Sequence, residues 1–319
     1  VSEATWWRHL TGDPTRFLLA DDEPGVVWRA LVELLGRPHD SPAVTRARLA
    51  ARESGGAAAL LAQQDPLGYW GSPATYGAHW SGTSWHVMAV AALGADPEDP
   101  RVGRGAEFLL ESLRPRSGGF AATRSRPPAA CFTAEICAAM ARLGFAHHPR
   151  VREAVAWLAD RDGGEGLWSC PELRHLMGGA CPVAAVGVLR FVAELAPTER
   201  AQVASLSARA GRGLLDRGLF LEGKGPRGWW AFGHPNLGRT DLLDALSVLA
   251  RLAWPVEPPI LTALLGVLAR QDGEGRWAQQ QASPFGEEVG RPSRWLTLKA
   301  LVAVATYGDD LAVAREESV

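Results

Sequence analysis

The chain has 319 residues, a formal net charge of -2, and 47% hydrophobic against 21% charged residues. That balance describes a globular protein with no general attraction for nucleic acid or anionic lipid. No apolar run reaches the roughly 20 residues a membrane span needs, and four cysteines in so long a chain make no disulfide framework, so free thiols are expected.

The first residues, Val1 to Leu10, hold Trp6 and Trp7 beside Arg8 and His9 but no apolar h-region. No signal peptide is expected, and the cytoplasm is the expected compartment. From there the chain reads as helix after helix. Val26 to Leu35 comes first, then Ala43 to Gln64, Ser84 to Leu93, Pro100 to Leu113, Thr133 to Leu143 and Pro149 to Ala159. Pro182 to Leu195, Glu199 to Arg217, Thr240 to Leu252, Pro258 to Arg270, Ser293 to Thr306 and a closing Asp309 to Glu317 follow. Proline or a small polar residue opens most of them, and Gly94, Gly144, Pro197, Pro255 or Gly308 ends several. Nothing alternates with period two over a useful length, so no sheet is expected.

Five short polar turns punctuate these helices, each closed by glycine and an aromatic. They run Gln63 to Trp70, Ser117 to Phe120, Asp162 to Trp168, Gly228 to Trp230 and Gln271 to Trp277. With Trp70, Phe120, Trp168, Trp230 and Trp277 as the closing rings, the spacings are 50, 48, 62 and 47 residues. A period near fifty marks a repeat of helical hairpins. The helices after the turns are apolar nearly all round, as in Ala89 to Leu93 and Val183 to Leu189, so they are expected to be buried on every side. The helices before the turns carry the charge. An inner ring within an outer ring follows: an all-α (α/α)6 toroid, one domain over residues 1–319, with a central funnel. The inner-helix N-termini, with their unpaired N–H groups, would meet at one mouth. Trp80, Thr83, Trp85, Cys131, Thr133, Glu135, Cys181, Thr240, Asp241, Asp244, Trp295 and Thr297 are the candidates there.

The turns resemble the QW motifs of the terpenoid cyclase and protein prenyltransferase superfamily, best at Gln63 to Trp70 and Gln271 to Trp277. More closely, the chain resembles bacterial single-domain prenyltransferase-like or squalene-cyclase-like proteins, in Val26 to Gly36, Cys131 to Ala134, Gly166 to Cys170 with Cys181, Asp241 to Leu243 and Pro292 to Leu298. The resemblance implies an (α/α)6 barrel whose QW turns join outer to inner helices. It does not carry the family's chemistry across. The Asp-x-Asp-Asp acid of class II cyclases is absent, and Asp160 to Gly163 is the nearest approach. Asp21-Asp22 and Asp309-Asp310 lack the third aspartate of the class I magnesium motif, and no Asp-x-Cys zinc motif occurs.

Catalytic candidates are therefore read from the residues. Asp241 and Asp244 share a helix face; buried together, one would stay protonated and could protonate an alkene or epoxide. The bland alternative is a helix cap at Thr240 or Asp241, with Asp244 paired to Arg239 or Arg251. Glu135, the one charge between Ala129 and Ala141, is the reserve acid. Trp80, Trp85, Trp230 and Trp295, with Thr83, Cys131, Thr133 and Cys181, would line the substrate cavity, since aromatic faces stabilise a cation within about 6 Å. Cys170, His175 and Cys181 are weak metal candidates, with His234 as a fourth ligand, though structural cysteines are the commoner outcome. No cofactor is expected; magnesium or zinc would be the ion if one were needed.

The expected function is acid-initiated cyclisation or isomerisation of a hydrophobic isoprenoid or polyene. One alternative is a transferase using a prenyl diphosphate, with Arg174, Arg239, Arg294 and Lys299 as a basic rim. A non-catalytic lipid-binding or partner protein on the same fold is the other. A hydrophobic small molecule is the expected partner, with peripheral membrane contact but no membrane span and no nucleic acid.

Overall fold

The computed structural model describes residues 6–112, 118–123, 126–161, 167–169, 181–223 and 225–316. Among them the chain is helical, running α1 (Thr15–Leu18), α2 (Pro24–Glu33), α3 (Pro42–Ala50), α4 (Gly55–Leu61), α5 (Thr83–Ala92), α6 (Pro100–Ser112) and α7 (Ala130–Arg142). It continues through α8 (Pro149–Asp160), α9 (Pro182–Ala193), α10 (Pro197–Arg200), α11 (Ala204–Leu215), α12 (Leu242–Arg251), α13 (Pro258–Leu268) and α14 (Arg294–Glu316). Proline opens α2, α3, α6, α8, α9 and α13, where its missing N–H costs nothing. Gly94 and Gly144 end α5 and α7 in left-handed conformation, and the Ala95 and Phe145 amides close back on the Val90 and Met140 carbonyls.

Six helices form a cyclic order of contacts. α5 packs on α7, α7 on α9, α9 on α12, α12 on α14, and α14 on α2. The last link, α2 to α5, is backbone to backbone. A Cβ at Gly25 would lie 2.3 Å from the Leu93 carbonyl oxygen, so only glycine fits, and Trp28 Nε1 donates to Gly94 O at 2.6 Å. These six are the buried helices; α4, α6, α8, α11 and α13 pack against them and carry the amphipathic faces.

The repeat has a single joint. The indole N–H of Trp70, Trp168, Trp229 and Trp277 donates to the carbonyl of Leu60, Leu158, Leu219 and Val267, always ten residues back and at 2.8–2.9 Å. Each ring thus ties a turn to the end of the preceding helix. Thirteen residues after the ring, a second tie fixes the next helix. Thr83 and Thr133 Oγ1 accept from the Trp70 and Phe120 amides, while the Cys181 and Leu242 amides donate to the Trp168 and Trp229 carbonyls. In the last copy Thr297 accepts from the Trp277 amide.

Several expectations need correction. The fourth closing ring is Trp229, 3% exposed, not Trp230, which is half-buried under Arg270 with the guanidinium 4.6 Å from its ring. The helix expected over 43–64 is two helices, broken where Gly55 takes φ +85. The stretch expected as one helix over 199–217 begins as α10 and a short 3-10 turn before α11. The two closing helices are one, because Gly308 does not stop α14. Its missing side chain admits Trp6, and its carbonyl accepts from His9 Nε2 at 2.8 Å. A two-residue antiparallel ladder, β1 (Trp277–Ala278) on β2 (Pro292–Ser293), was not foreseen; two residues are too few to show alternation. Among the described residues, no helix is long and apolar enough to cross a membrane.

Candidate active site

The buried helices bring charge, not only hydrocarbon, to their common interior. A cavity of about 80 Å³ is bounded by α5, α7, α9, α14 and the loop before α12. Met88, Ala91, Ala92, Ala138, Ala139 and Leu237 make its apolar wall. Its polar wall is Glu135, Arg142, Arg190, Glu194, His234, Asn236 and Lys299. A smaller adjoining space of about 40 Å³ adds Asp244, Arg251, Glu33 and Trp295.

Asp244 sits in the first turn of α12 with its side chain 1% exposed. Arg190 and Lys299 each reach it at 2.6 Å, from α9 and α14. Asn236 Nδ2 adds a contact at 2.7 Å and Thr240 Oγ1 one at 3.5 Å. Burial works to raise this carboxyl, but the two cations outweigh it and hold it well below the usual range. It is an anion with no proton to give. Asp241 caps α12: its oxygens accept from the Asp244 amide (2.8 Å), the Gly233 amide (2.9 Å) and Asn236 Nδ2 (2.7 Å). Burial first, then the Asp244 charge, push Asp241 up to about 7, against Lys299 and the Asp244 and Gly233 amides, which favour its ionised form. It is fully buried and absent from the cavity wall. The expected split of the pair is present, with Asp241 raised and Asp244 ionised, but Asp241 is the cap and Asp244 the counter-ion, and the expected partners Arg239 and Arg251 give way to Arg190 and Lys299.

Glu135, the reserve acid, is on the cavity wall one turn into α7. The Gly238 amide is its hydrogen-bond donor, at 2.9 Å to one oxygen and 3.1 Å to the other. Burial pushes its carboxyl up to about 8, so it is protonated at neutral pH. Across the loop, His234 is 5% exposed and stacks on Trp295 with ring centroids 4.8 Å apart. Its Nε2 meets the Ala92 carbonyl at 3.2 Å. A carbonyl only accepts, so Nε2 carries the hydrogen and Nδ1 a bare lone pair, for which the described residues supply no partner. Burial, then Lys299, keeps the ring neutral, far below its usual pKa.

A second polar layer lies at the C-terminal ends of the buried helices. Arg29 pairs with Glu33 and, at 3.0 Å, with Glu194. Arg251 reaches Glu194 at 2.8 Å and Glu33 at 3.6 Å. Burial opposes the charge on Glu33 and Glu194, but Arg251 and Arg29 outweigh it and keep both ionised. Basic residues at helix C-termini also complement the helix dipole.

The other expected site residues are scattered. Trp80 and Trp85 form an aromatic group with His79 and Phe285, ring centroids 4.4–6.0 Å apart, off the cavity wall. Thr83 and Thr133 are wholly buried in the repeat ties. Cys181 is buried at the equivalent position of its own repeat, Cys131 is half-buried at the start of α7, and Cys137 is a buried free thiol. Trp230 lies in a different surface pocket with Phe220 and Arg270. Only Trp295 among the expected rings borders the interior space, so the cavity is walled by charge and small aliphatics and not by aromatics. Cys170, His175 and Arg174 lie outside the described residues, and among those described no cluster could hold a metal. Of the expected basic rim, Arg239 donates to the Ala282 carbonyl, Arg294 pairs with Asp22 over the Phe17 ring, and Lys299 alone is in the cavity.

No protein-family model matches the chain, and no curated protein does. Solved structures align over most of its length. The type II terpene cyclase MstE from Scytonema, in its apo form, is 15% identical, covers 80% of this chain and 97% of its own, and superposes with a TM-score of 0.31. A variant of that enzyme holding its substrate, geranylgeranyl dihydroxybenzoate, is 16% identical over 81% of this chain and 96% of its own, with a TM-score of 0.33. A protein from Actinoplanes is 17% identical over 91% and 88%, with a TM-score of 0.43. A likeness of this size assigns neither a residue role nor a reaction.

Proposed function

We propose that the six buried helices are the inner ring of an (α/α)6 toroid, one domain over residues 1–319, and that its axial cavity is the active site of a proton-transfer isomerase or cyclase. The cyclic order of contacts from α2 round to α14 supports the first part. One observation carries the second: a carboxyl held neutral, Glu135, and an imidazole held neutral with a bare Nδ1, His234, share the wall of one cavity. Two groups pushed apart in this way are an acid and a base at the same pH.

The surroundings select the kind of proton transfer. A carboxyl near 8 is a weak acid, poorly matched to an isolated alkene. Arg142, Arg190 and Lys299 on the same wall would oppose a carbocation and stabilise an enolate. The cavity, about 80 Å³ with an adjoining 40 Å³, takes only the carbonyl end of a substrate, accordingly an unsaturated isoprenoid or related apolar molecule whose double bond is conjugated with that carbonyl and whose tail extends out of the cavity. His234 Nδ1 takes a proton from the carbon γ to the carbonyl, breaking that C–H bond and giving a dienolate. Glu135 donates its proton to the carbon next to the carbonyl, and the double bond moves out of conjugation. The two side chains then exchange a proton through water, and nothing is oxidised or reduced.

Incubation of the protein with geranial, farnesal and the corresponding acids in D2O, followed by mass spectrometry, tests this. Deuterium enters the carbon chain with the wild type and not with Glu135→Gln or His234→Asn. Incorporation that survives in both variants refutes the assignment.

A further inference from the structure

Around the axial cavity the protein's own charges do not balance. Five cations converge there: Arg29, Arg142, Arg190, Arg251 and Lys299. Three carboxylates are held ionised by them, namely Glu33, Glu194 and Asp244. Asp241 accepts three N–H bonds behind the wall, and Glu135 keeps its proton. The cluster therefore carries at least one positive charge in excess, and more when Asp241, raised to about 7, takes up its proton.

That excess is located. Arg190 and Lys299 each have Asp244 at 2.6 Å, while Arg29 and Arg251 are paired at 2.8–3.0 Å. Among the described residues Arg142 is paired only with Glu33, at 3.5 Å, and its Nε is buried without a partner. Yet Arg142 lines both parts of the cavity. Two acceptors on the same wall are also unpaired: His234 Nδ1, in a residue 5% exposed, and Asn236 Oδ1, in a residue 4% exposed. Asn236 cannot exchange its amide ends, because its Nδ2 already donates to both Asp241 and Asp244. Buried polar atoms seldom stay unpaired in a folded protein. The cavity therefore offers one under-compensated guanidinium fork and two acceptors. The side chains of Arg142, Arg190 and Lys299 keep 20, 25 and 17% of their surface accessible, so the space can admit a solute.

We infer that the axial cavity binds a carboxylate, taken by Arg142 with support from Arg190 and Lys299, and that a hydrogen-bond donor on the same ligand, or a water carried with it, meets Asn236 Oδ1. This rests on the proposed function and narrows it to an unsaturated carboxylic acid as substrate. A guanidinium fork matches a carboxylate with two parallel hydrogen bonds, and the cavity of about 80 Å³ has room for a small planar anion.

Titration calorimetry with acetate, glycolate and geranate, and separately with inorganic phosphate, is the test, at pH 7 and constant ionic strength. The carboxylates bind, glycolate more tightly than acetate, and Arg142→Met weakens each at least tenfold. Arg142→Lys keeps the charge without the fork and falls between. Binding that is absent, or unchanged in a folded Arg142→Met protein, overturns the inference, as does phosphate binding as tightly as the carboxylates. Carboxylate binding without deuterium exchange would remove the proton-transfer reading and leave the anion site standing.

Discussion

Replacing Asp244 by asparagine should expose how the interior is held together. The side chain is 1% exposed and faces Arg190 and Lys299 at 2.6 Å each. Asparagine keeps the shape but not the charge. Its amide group must also turn N–H bonds toward one of two cations that are donors only. Removing one partner of a buried ion pair costs about 3–5 kcal/mol, because the remaining charge stays buried without compensation. Here two cations are stranded, so the upper half of that range is expected at pH 7. At about 2–4 °C per kcal/mol for a chain of this order, the midpoint of thermal unfolding falls by roughly 10 °C or more. The pH dependence has a definite sign. A carboxyl depressed in the folded state contributes its full stability above its unfolded value near 3.8, and loses it as pH falls toward the folded value. The gap between wild type and variant is therefore full at neutral pH and shrinks below about pH 4. Lys299→Met in the Asp244→Asn background removes one stranded cation and should recover about 1–3 kcal/mol. Urea unfolding of the four proteins of this cycle reads each number. A loss under about 1 kcal/mol for Asp244→Asn would refute the reasoning, since a charge worth so little could not be compensating two buried cations.

Three further outcomes follow from other parts of the molecule. Glu135 is raised from 4.5 to about 8, so wild-type stability declines as pH rises through that window, by roughly 3 kcal/mol between pH 5.5 and 8 at about 1.4 kcal/mol per pH unit. Glu135→Gln lacks this decline, and parallel stability–pH curves for the two proteins would contradict it. Thr133→Val removes the acceptor of the buried Phe120 amide and should cost about 1–3 kcal/mol by urea melts, whereas an exposed threonine would cost nearly nothing. Gly25→Ala drives a Cβ to 2.3 Å from the Leu93 carbonyl oxygen, a backbone atom that cannot rotate away. A loss of about 2–3 kcal/mol or more in thermal unfolding is expected, and a neutral result would mean that α2 and α5 do not meet as described.

Much of the helical layout was legible before the structure, and the reason is local. Gly94, Gly144 and the prolines that open α6, α8 and α9 carry their message within a few residues. The tryptophan turns were legible for the same reason, because each ring reaches back ten residues to one carbonyl. Trp229 and Trp230 could not be separated by spacing alone, since both fit a period near fifty. Gly308 misled, because a glycine that stops a helix and one that admits a neighbour look alike without the neighbour.

Part of the site was legible: Asp244, Trp295 and Lys299 were named from the sequence and border the cavity, and Glu135 contradicted its own helix. Glu135 stood out as a lone charge in an apolar run. Arg142, Arg190, Glu194 and Arg251 did not, because charges near helix C-termini are ordinary and often solvated. Their meeting around one cavity depends on packing between segments far apart in sequence. Asp244 finds its partners one repeat away on either side, while the basic residues nearest it in sequence, Arg239 and Arg251, are engaged elsewhere. His234 drew attention only as a remote metal ligand. Its loop position hides the stacking on Trp295 and the bond to Ala92 that leave Nδ1 bare.

The central claim is that the cavity lined by Glu135 and His234 holds a carboxylic acid that is still protonated at neutral pH. Infrared difference spectroscopy of the wild type against Glu135→Gln across pH 5 to 10 tests it most directly. The account predicts a protonated carboxyl stretch that is present at pH 7, absent from the variant, and lost with a midpoint near 8. A Glu135 carboxyl already ionised at pH 6, titrating near 4.5, would contradict it and remove the acid from the proposed reaction.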